Sequence, residues 1–251
     1  MTGEVRLIPV QGIPTIQPGD DLPAIILEHL DDPVQDGDLF VIAQKIVSRS
    51  ENRLVNVNDV TPSARALELA PESHKDPRLV EVILRDSNEV LRLKNGIFIV
   101  EQRDGWVCAN AGIDRSNVPP GDGSVVALLP EDADASARRF AEGIKQRTGK
   151  SVAVIINDSH GRAWRDGSVG IAIGVAGMRP LRDVRHQKDL YGYELQTSII
   201  AVADEIAAAA SVLMGQTTAA IPVVLIRGLA YEPGEGSAKE LVRPKERDLF
   251  R

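Results

Sequence analysis

Cysteine is almost missing from this sequence: Cys108 is the single example in 251 residues. That excludes an intramolecular disulfide and any cysteine-rich zinc site. Basic blocks are missing as well. Asp and Glu number 36 against 29 Lys and Arg, a formal net charge of −7, and no cationic stretch offsets it. The electrostatic footprint of a nucleic-acid binder is therefore absent, and any anion site must be local. No run approaches the roughly 18 uninterrupted apolar residues of a membrane span, and the opening MTGEVRLIPVQG lacks the apolar core of a leader peptide. The expectation is a cytoplasmic protein with neither nucleic acid nor membrane as partner. No internal repeat or low-complexity linker divides the chain. Residues 1–251 read as one large domain or two intimately joined lobes, and 43% hydrophobic with 26% charged residues is an ordinary globular composition.

The usual phosphate motifs are missing too. Gly149-Lys150-Ser151 resembles the end of a P-loop, but the position where its first glycine belongs is Ile144. The order is also reversed, with a helix leading into a strand. Gly170, Gly174 and Gly177 are spaced too widely for a dinucleotide fingerprint. A nucleotide, if bound, needs an unconventional site.

What is present centres on Ser151–Gly170, SVAVIINDSHGRAWRDGSVG. Ser151–Ile156 has the composition of a strand buried on both faces. Asn157, Asp158, Ser159 and His160 follow, and a strand ending in such side chains delivers them to a sheet edge, where ligands commonly bind. Asp158 and Ser159 offer the hard oxygens that Mg(II) or Mn(II) prefers. Arg162 and Arg165 can hold anionic oxygens. Taken alone, the stretch also suits a polar strand exit with solvated arginines. A second such segment, Val107–Asn117, runs from a short strand into small residues, Asp114 and two asparagines, and alone it suits an Asx-rich turn.

Elsewhere, Val5–Val10 reads as a strand and Gly19-Asp20-Asp21 as a helix start. Leu39–Val47 reads as an apolar strand interrupted by Gln44 and Lys45, which places Lys45 and Arg49 at its end. Thr61–Leu69 and Asp76–Arg85 have helical spacing. Lys94-Asn95-Gly96 marks a hairpin, and Ser124–Leu129 is another strand. Asp132–Thr148 is the clearest helix, with Ala133, Ala137, Phe140 and Ile144 inward. Thr197–Met214 reads as a second helix, with Ile199, Val202, Ile206, Ala209 and Leu213 inward. Pro222–Ile226 is a last strand. The charged tail Tyr231–Arg251 reads as extended over the surface or a neighbour.

Together these segments resemble the coenzyme F-420-0:L-glutamate ligases. The likeness lies in LIPVQGIPTI (7–16), GDLFVIAQKIVSRSE (37–51), NAGIDRSNV (110–118), NDSHGRAWRDGSVGIAIGVAG (157–177), LMGQ (213–216) and the ending GEGSAKELVRPKERDLF. It covers essentially the whole chain in order. It also extends to the amino-terminal half of the fused actinobacterial ligase, without that protein's flavin-binding half.

The resemblance implies an α/β (mixed α+β) fold with mixed, largely antiparallel sheets, two intimately joined lobes and an intertwined homodimer. It implies a ligase that spends GTP to join L-glutamate to the deazaflavin precursor F-420-0 through an acyl phosphate, and then extends a γ-linked tail. Two divalent ions, Mg(II) or Mn(II), are implied, with K(I) in addition. The metal positions fall on Asp114 and Asp158 for one ion and on Ser159 and Gln216 for the other. Asp114, Asp158 and Arg162 are the implied catalytic residues. Nucleotide positions fall on Ile13, Pro14, Thr15, Ile16, Gln44, Lys45, Arg49 and Asn117, and on Met214, Gly215, Gln216, Thr217, Thr218, Ala219, Ala220 and Ile221. Arg49 stands where the family often has lysine and Ser159 where it often has threonine; charge and hydroxyl are retained. The alternatives are a metal-dependent nucleotide phosphohydrolase and a non-catalytic GTP-binding protein.

Overall fold

A computed structural model describes residues 3–249. Met1 and Thr2, and the end of the tail at Phe250 and Arg251, lie outside the described residues. In chain order the elements are β1 (Arg6–Val10), α1 (Leu22–Glu28), β2 (Leu39–Ala43), α2 (Gln44–Ser50), β3 (Leu54–Asn56), α3 (Ala64–Ser73) and α4 (Pro77–Arg85). Then come β4 (Ser87–Lys94), β5 (Ile97–Gln102), β6 (Val107–Ala109), β7 (Val125–Ala127), α5 (Ala133–Thr148), β8 (Ala153–Arg162) and β9 (Arg165–Ala176). The last are β10 (Arg182–Asp183), β11 (Ile199–Ile200), α6 (Val202–Met214) and β12 (Val223–Arg227).

The main sheet has the order β1-β12-β2-β8-β9. It is mixed: β2 and β8 are parallel neighbours, and the other pairings are antiparallel. Both faces are covered, as the apolar run at 152–156 requires. Val154 and Ile156 pack with α5 side chains Ala137, Phe140 and Ile144. Ala153 and Ile155 pack on the opposite face with α6 side chains Ala203, Ile206 and Ala210. The α5 helix sits so close to β9 that a Cβ at Gly174 would lie 2.4 Å from the Ala133 carbonyl oxygen; only glycine permits that approach. Across the sheet, Arg227 clamps the buried Asp38 with two hydrogen bonds of 2.8 and 2.7 Å, tying the end of β12 to the start of β2. A third apolar cluster gathers α3, α4 and β5 around Leu79, Ile83, Phe98 and Val100.

The expected hairpin, β4 and β5, forms around Asn95-Gly96, both at positive φ. The Asp21 and Asp132 side chains accept from the first turns of α1 and α5.

Four expectations are corrected. The run Leu39–Val47 is a strand only to Ala43; from Gln44 it turns into α2. Nine apolar-rich residues fit either period, because Ile46 and Val47 are buried in the helix as they would be in a strand. The strand at 151–156 does not end at its polar residues but runs on to Arg162, because β9 pairs with it throughout. The helix before Met214 starts at Val202, and its buried residues are Ala203, Ile206, Ala207, Ala210 and Met214; Val202 and Leu213 pack partly buried against the same cluster, whereas Ala209 is exposed. Ile199 and Ile200 instead pair with Arg182 and Asp183. Finally, the tail has a core to join. Buried Ala238, with Leu241 and Tyr231, packs into the α6-side cluster, and the buried carboxylate of Asp134 accepts from the backbone N–H groups of Val175 and Ala238.

Candidate active site

The parallel pair β2–β8 sets the site. Ala43, the carboxyl end of β2, and Asn157, midway along β8, are the last register partners of this parallel pairing, the kind of place where α/β sheets open crevices for ligands. Beyond that point β2 becomes α2, presenting Gln44, Lys45 and Arg49, while β8 continues outward with Asp158 and Ser159. Asp114 arrives from the loop after β6. Its N–H and C=O both bond to Ala127 at 2.9 Å, so its backbone is held like a strand residue. Gly215, at φ 63°, stops α6 and sends the next segment along the opposite wall.

These segments enclose a cleft of about 710 Å³, within the size range of small-molecule sites. The β1–α1 loop at 13–16 forms one wall. The segments 114–121 and 214–222 form others. Of the positions singled out in the sequence as site residues, all line the cleft except Ala219, Arg162 and Arg165. Ala219 is exposed, with its Cβ close to Gly215. Arg162 stands at the β8–β9 hairpin tip, exposed, with its guanidinium donating to the Asp166 carbonyl at 3.4 Å.

The chemistry concentrates on two acids. The amide of Gln44 donates to Asp114 Oδ2 at 2.5 Å, and Lys45 Nζ lies 3.5 Å from the same oxygen. Lys45 is held in turn by the carbonyl and hydroxyl of Ser116, at 3.0 and 3.3 Å. Asp158 faces this group from β8. Burial and the nearby Asp114 carboxylate push its pKa up to about 7, against the pull of the Ser159 N–H, Lys45 and Gln44. Burial also raises Asp114, although Lys45 and Gln44 oppose it. Two like charges thus share one partly desolvated wall, an arrangement that favours a cation between them.

Arg49 adds a second signal. Burial lowers its pKa, and its Nε is shut off from solvent with no hydrogen-bond partner. A desolvated guanidinium at a cleft wall is suited to an anionic ligand. Sequence reasoning did not assign Asn157 or Ser116 to the site. Asn157 is buried and lines the cleft, its amide donating to Ser211 Oγ at 3.0 Å and to Met214 Sδ at 3.4 Å. Its place beside Asp158 was the available signal. Cys108 lies near Asp158, and burial pushes its thiol up to about 12, so it stays protonated and unreactive.

A mixed-sheet α/β protein with acids, a lysine and an arginine around a small-molecule-sized cleft is the class that fold and site define. The sequence model described as F420-0:Gamma-glutamyl ligase matches residues 12–228. The coenzyme F420:L-glutamate ligase of Methanothermobacter thermautotrophicus is 44% identical over 98% of this chain and 99% of its own. The protein of the same name from Methanocaldococcus jannaschii is 42% identical over the whole of both chains. That of Methanococcus maripaludis strain C7 is 46% identical over 87% of each. The chain belongs to the F420-0:gamma-glutamyl ligase family.

Proposed function

We propose that this protein joins L-glutamate to the terminal carboxylate of the deazaflavin precursor of coenzyme F420 and extends the glutamate tail, spending GTP with divalent metal present. The observation that carries the reading is the convergence of Asp114, Asp158, Lys45 and Arg49 on one cleft in a chain that matches ligases of that name along its length.

Each residue has a task in the proposed reaction. Lys45 and the desolvated Arg49 bind and orient the triphosphate, neutralising charge where the γ-phosphoryl leaves. The loop 13–16 and the segment 214–221 flank the nucleotide. The two acids, with Ser159 and Gln216, form an all-oxygen donor set that fits Mg(II) or Mn(II). A divalent ion held by these oxygens would neutralise charge on the triphosphate. Transfer of the γ-phosphoryl to the acceptor carboxylate leaves GDP and an acyl phosphate. The glutamate amine then attacks the acyl carbon, expelling phosphate and forming the amide.

Incubation with GTP, Mn(II), glutamate and the precursor, followed by mass analysis, tests this. Added glutamyl units are expected. Phosphate released without them would indicate a phosphohydrolase, and no turnover a GTP-binding protein. The assembly proposed is a homodimer. The family supports it, and so do the exposed side chains of Trp164, Leu190 and Tyr191. Light scattering at twice the 27.1 kDa chain mass is expected.

A further inference from the structure

Gln44 counts among the nucleotide-contact positions by its place in the sequence, yet its amide is already committed. The nitrogen donates to Asp114 Oδ2 at 2.5 Å, on the cleft wall that Asp158 also lines. Its oxygen accepts from the Ser48 hydroxyl, one helical turn on, at 2.9 Å. Gln44 is 3% exposed and Ser48 is fully buried. Ser48 does not line the cleft, whereas Gln44, Lys45 and Arg49 of the same helix do.

An amide has two nearly isosteric ends, and only its surroundings fix which one faces an acid. Here the donor end must face the carboxylates, since the oxygen would repel them. That orientation buries Oε1 on the far side, where Ser48 alone satisfies it. Without the hydroxyl, a buried acceptor would lack a partner, and the amide would gain by turning away or admitting water.

We propose that Ser48 is a positioning residue which, through the Gln44 amide, holds Asp114 beside Asp158 in the arrangement that receives a divalent cation. Ser48 touches neither cleft nor substrate and acts as an outer partner of the kind that orients metal ligands elsewhere. The amide also explains the uncharged residue at 44. It donates to one carboxylate beside the other without adding a third negative charge. The inference rests on the proposed reading of Asp114 and Asp158 as metal-binding groups, and it is independent of what the enzyme ligates.

The test has two arms. In metal-free protein labelled with ¹⁵N-glutamine, the Gln44 side-chain amide is expected to show slow hydrogen exchange, and Ser48→Ala to abolish that protection. In the second arm, Mn(II) is titrated against wild type, Ser48→Ala and Ser48→Thr and followed by electron paramagnetic resonance. Ser48→Ala is expected to weaken Mn(II) binding about tenfold, with Ser48→Thr recovering most of it and both variants folded by circular dichroism. Should Ser48→Ala fail to fold, Ser48→Cys, a near-isostere and weaker donor, is expected to give an intermediate loss. Unchanged amide exchange, or Mn(II) binding unaltered by the loss of the hydroxyl, would overturn the proposal. Wild type that binds no Mn(II) would also overturn it. Wild type that binds Mn(II) but forms no glutamyl product would sink the ligase reading alone and leave this inference standing.

Discussion

The hydroxyl of Ser237 donates to Asp134 Oδ2 at 2.5 Å, binding the carboxyl-terminal segment to the first turn of α5. Asp134 accepts from Val175 N–H at 2.8 Å and Ala238 N–H at 3.0 Å as well. One buried carboxylate thus fastens helix, sheet and tail. Asp134→Ala leaves both backbone donors buried without partners, and a loss of about 3 kcal/mol is expected. Urea unfolding measures it, and limited trypsin digestion should show earlier cleavage at Lys239 and Lys245. Wild-type stability in the variant would refute the fastening role.

Gly170 packs against α6 so tightly that a Cβ there would stand 1.9 Å from Ser211 Oγ, 2.5 Å from Asn157 Oδ1 and 2.7 Å from the Ala207 carbonyl. Gly170→Ala is expected to cost about 1–3 kcal/mol and to disturb the cleft wall through Asn157. Adding Ser211→Ala should recover only part of the loss, because the Ala207 carbonyl remains. Thermal melts of the single and double variants decide this.

Arg49→Ala is expected to weaken GTP binding about tenfold or more while leaving the fold intact, since in the proposed reaction it removes a desolvated cation that would make charge-assisted bonds to phosphate. Arg49→Lys should fall between. Calorimetry with Mg(II) present reads the affinity; an unchanged value would return Arg49 to a structural role.

Asp158→Asn and Asp114→Asn are each expected to lose most glutamate ligation, and the double variant to be little worse than either, as for residues that act as a unit. Without metal the single variants should melt slightly higher than wild type, because one of two like charges is gone. Near-normal ligation by either at saturating Mn(II) would remove that residue from the site.

Asp86 supplies a pH signature away from the cleft. It is 4% exposed, with Arg53 and Arg103 at 3.6 and 3.8 Å and its Oδ2 without a partner. Burial outweighs the arginines and raises its pKa. A raised carboxyl holds its proton longer in the folded state, so its contribution to stability is full below the unfolded value near 3.9 and is lost as pH rises through the folded value. Asp86→Asn cannot titrate. The variant's stability relative to wild type is therefore expected to climb with pH from about 4 upward and then level off. A flat difference between pH 4 and 7, measured by urea unfolding, would contradict this.

Much of this architecture is legible in the residues. The stripe Ala133, Ala137, Phe140 and Ile144 is the buried face of α5, and the Asn-Gly turn closes its hairpin. The sequence signals fail where local pattern is silent about tertiary partners. The polar stretch Asp158–Arg162 stays a strand because β9 supplies its hydrogen bonds, information that lies in the partner. The α2 helix is hidden because its short apolar run carries no decisive period. The segments around Asp114 and Asp158 each look like ordinary polar exits. Their convergence enters through the likeness to known ligases and not through local chemistry, and the Ser48–Gln44 bond follows only from burial.

The cleft draws on five stretches, from Ile13 near the start to Pro222 near the end. No fragment of the chain can build it locally, and closing such long loops is entropically costly until most of the fold is in place. The site is therefore among the last features to appear as the protein folds. A ligand that occupies it selects fully folded molecules, so it raises equilibrium stability by mass action and slows unfolding, while leaving the folding rate nearly untouched.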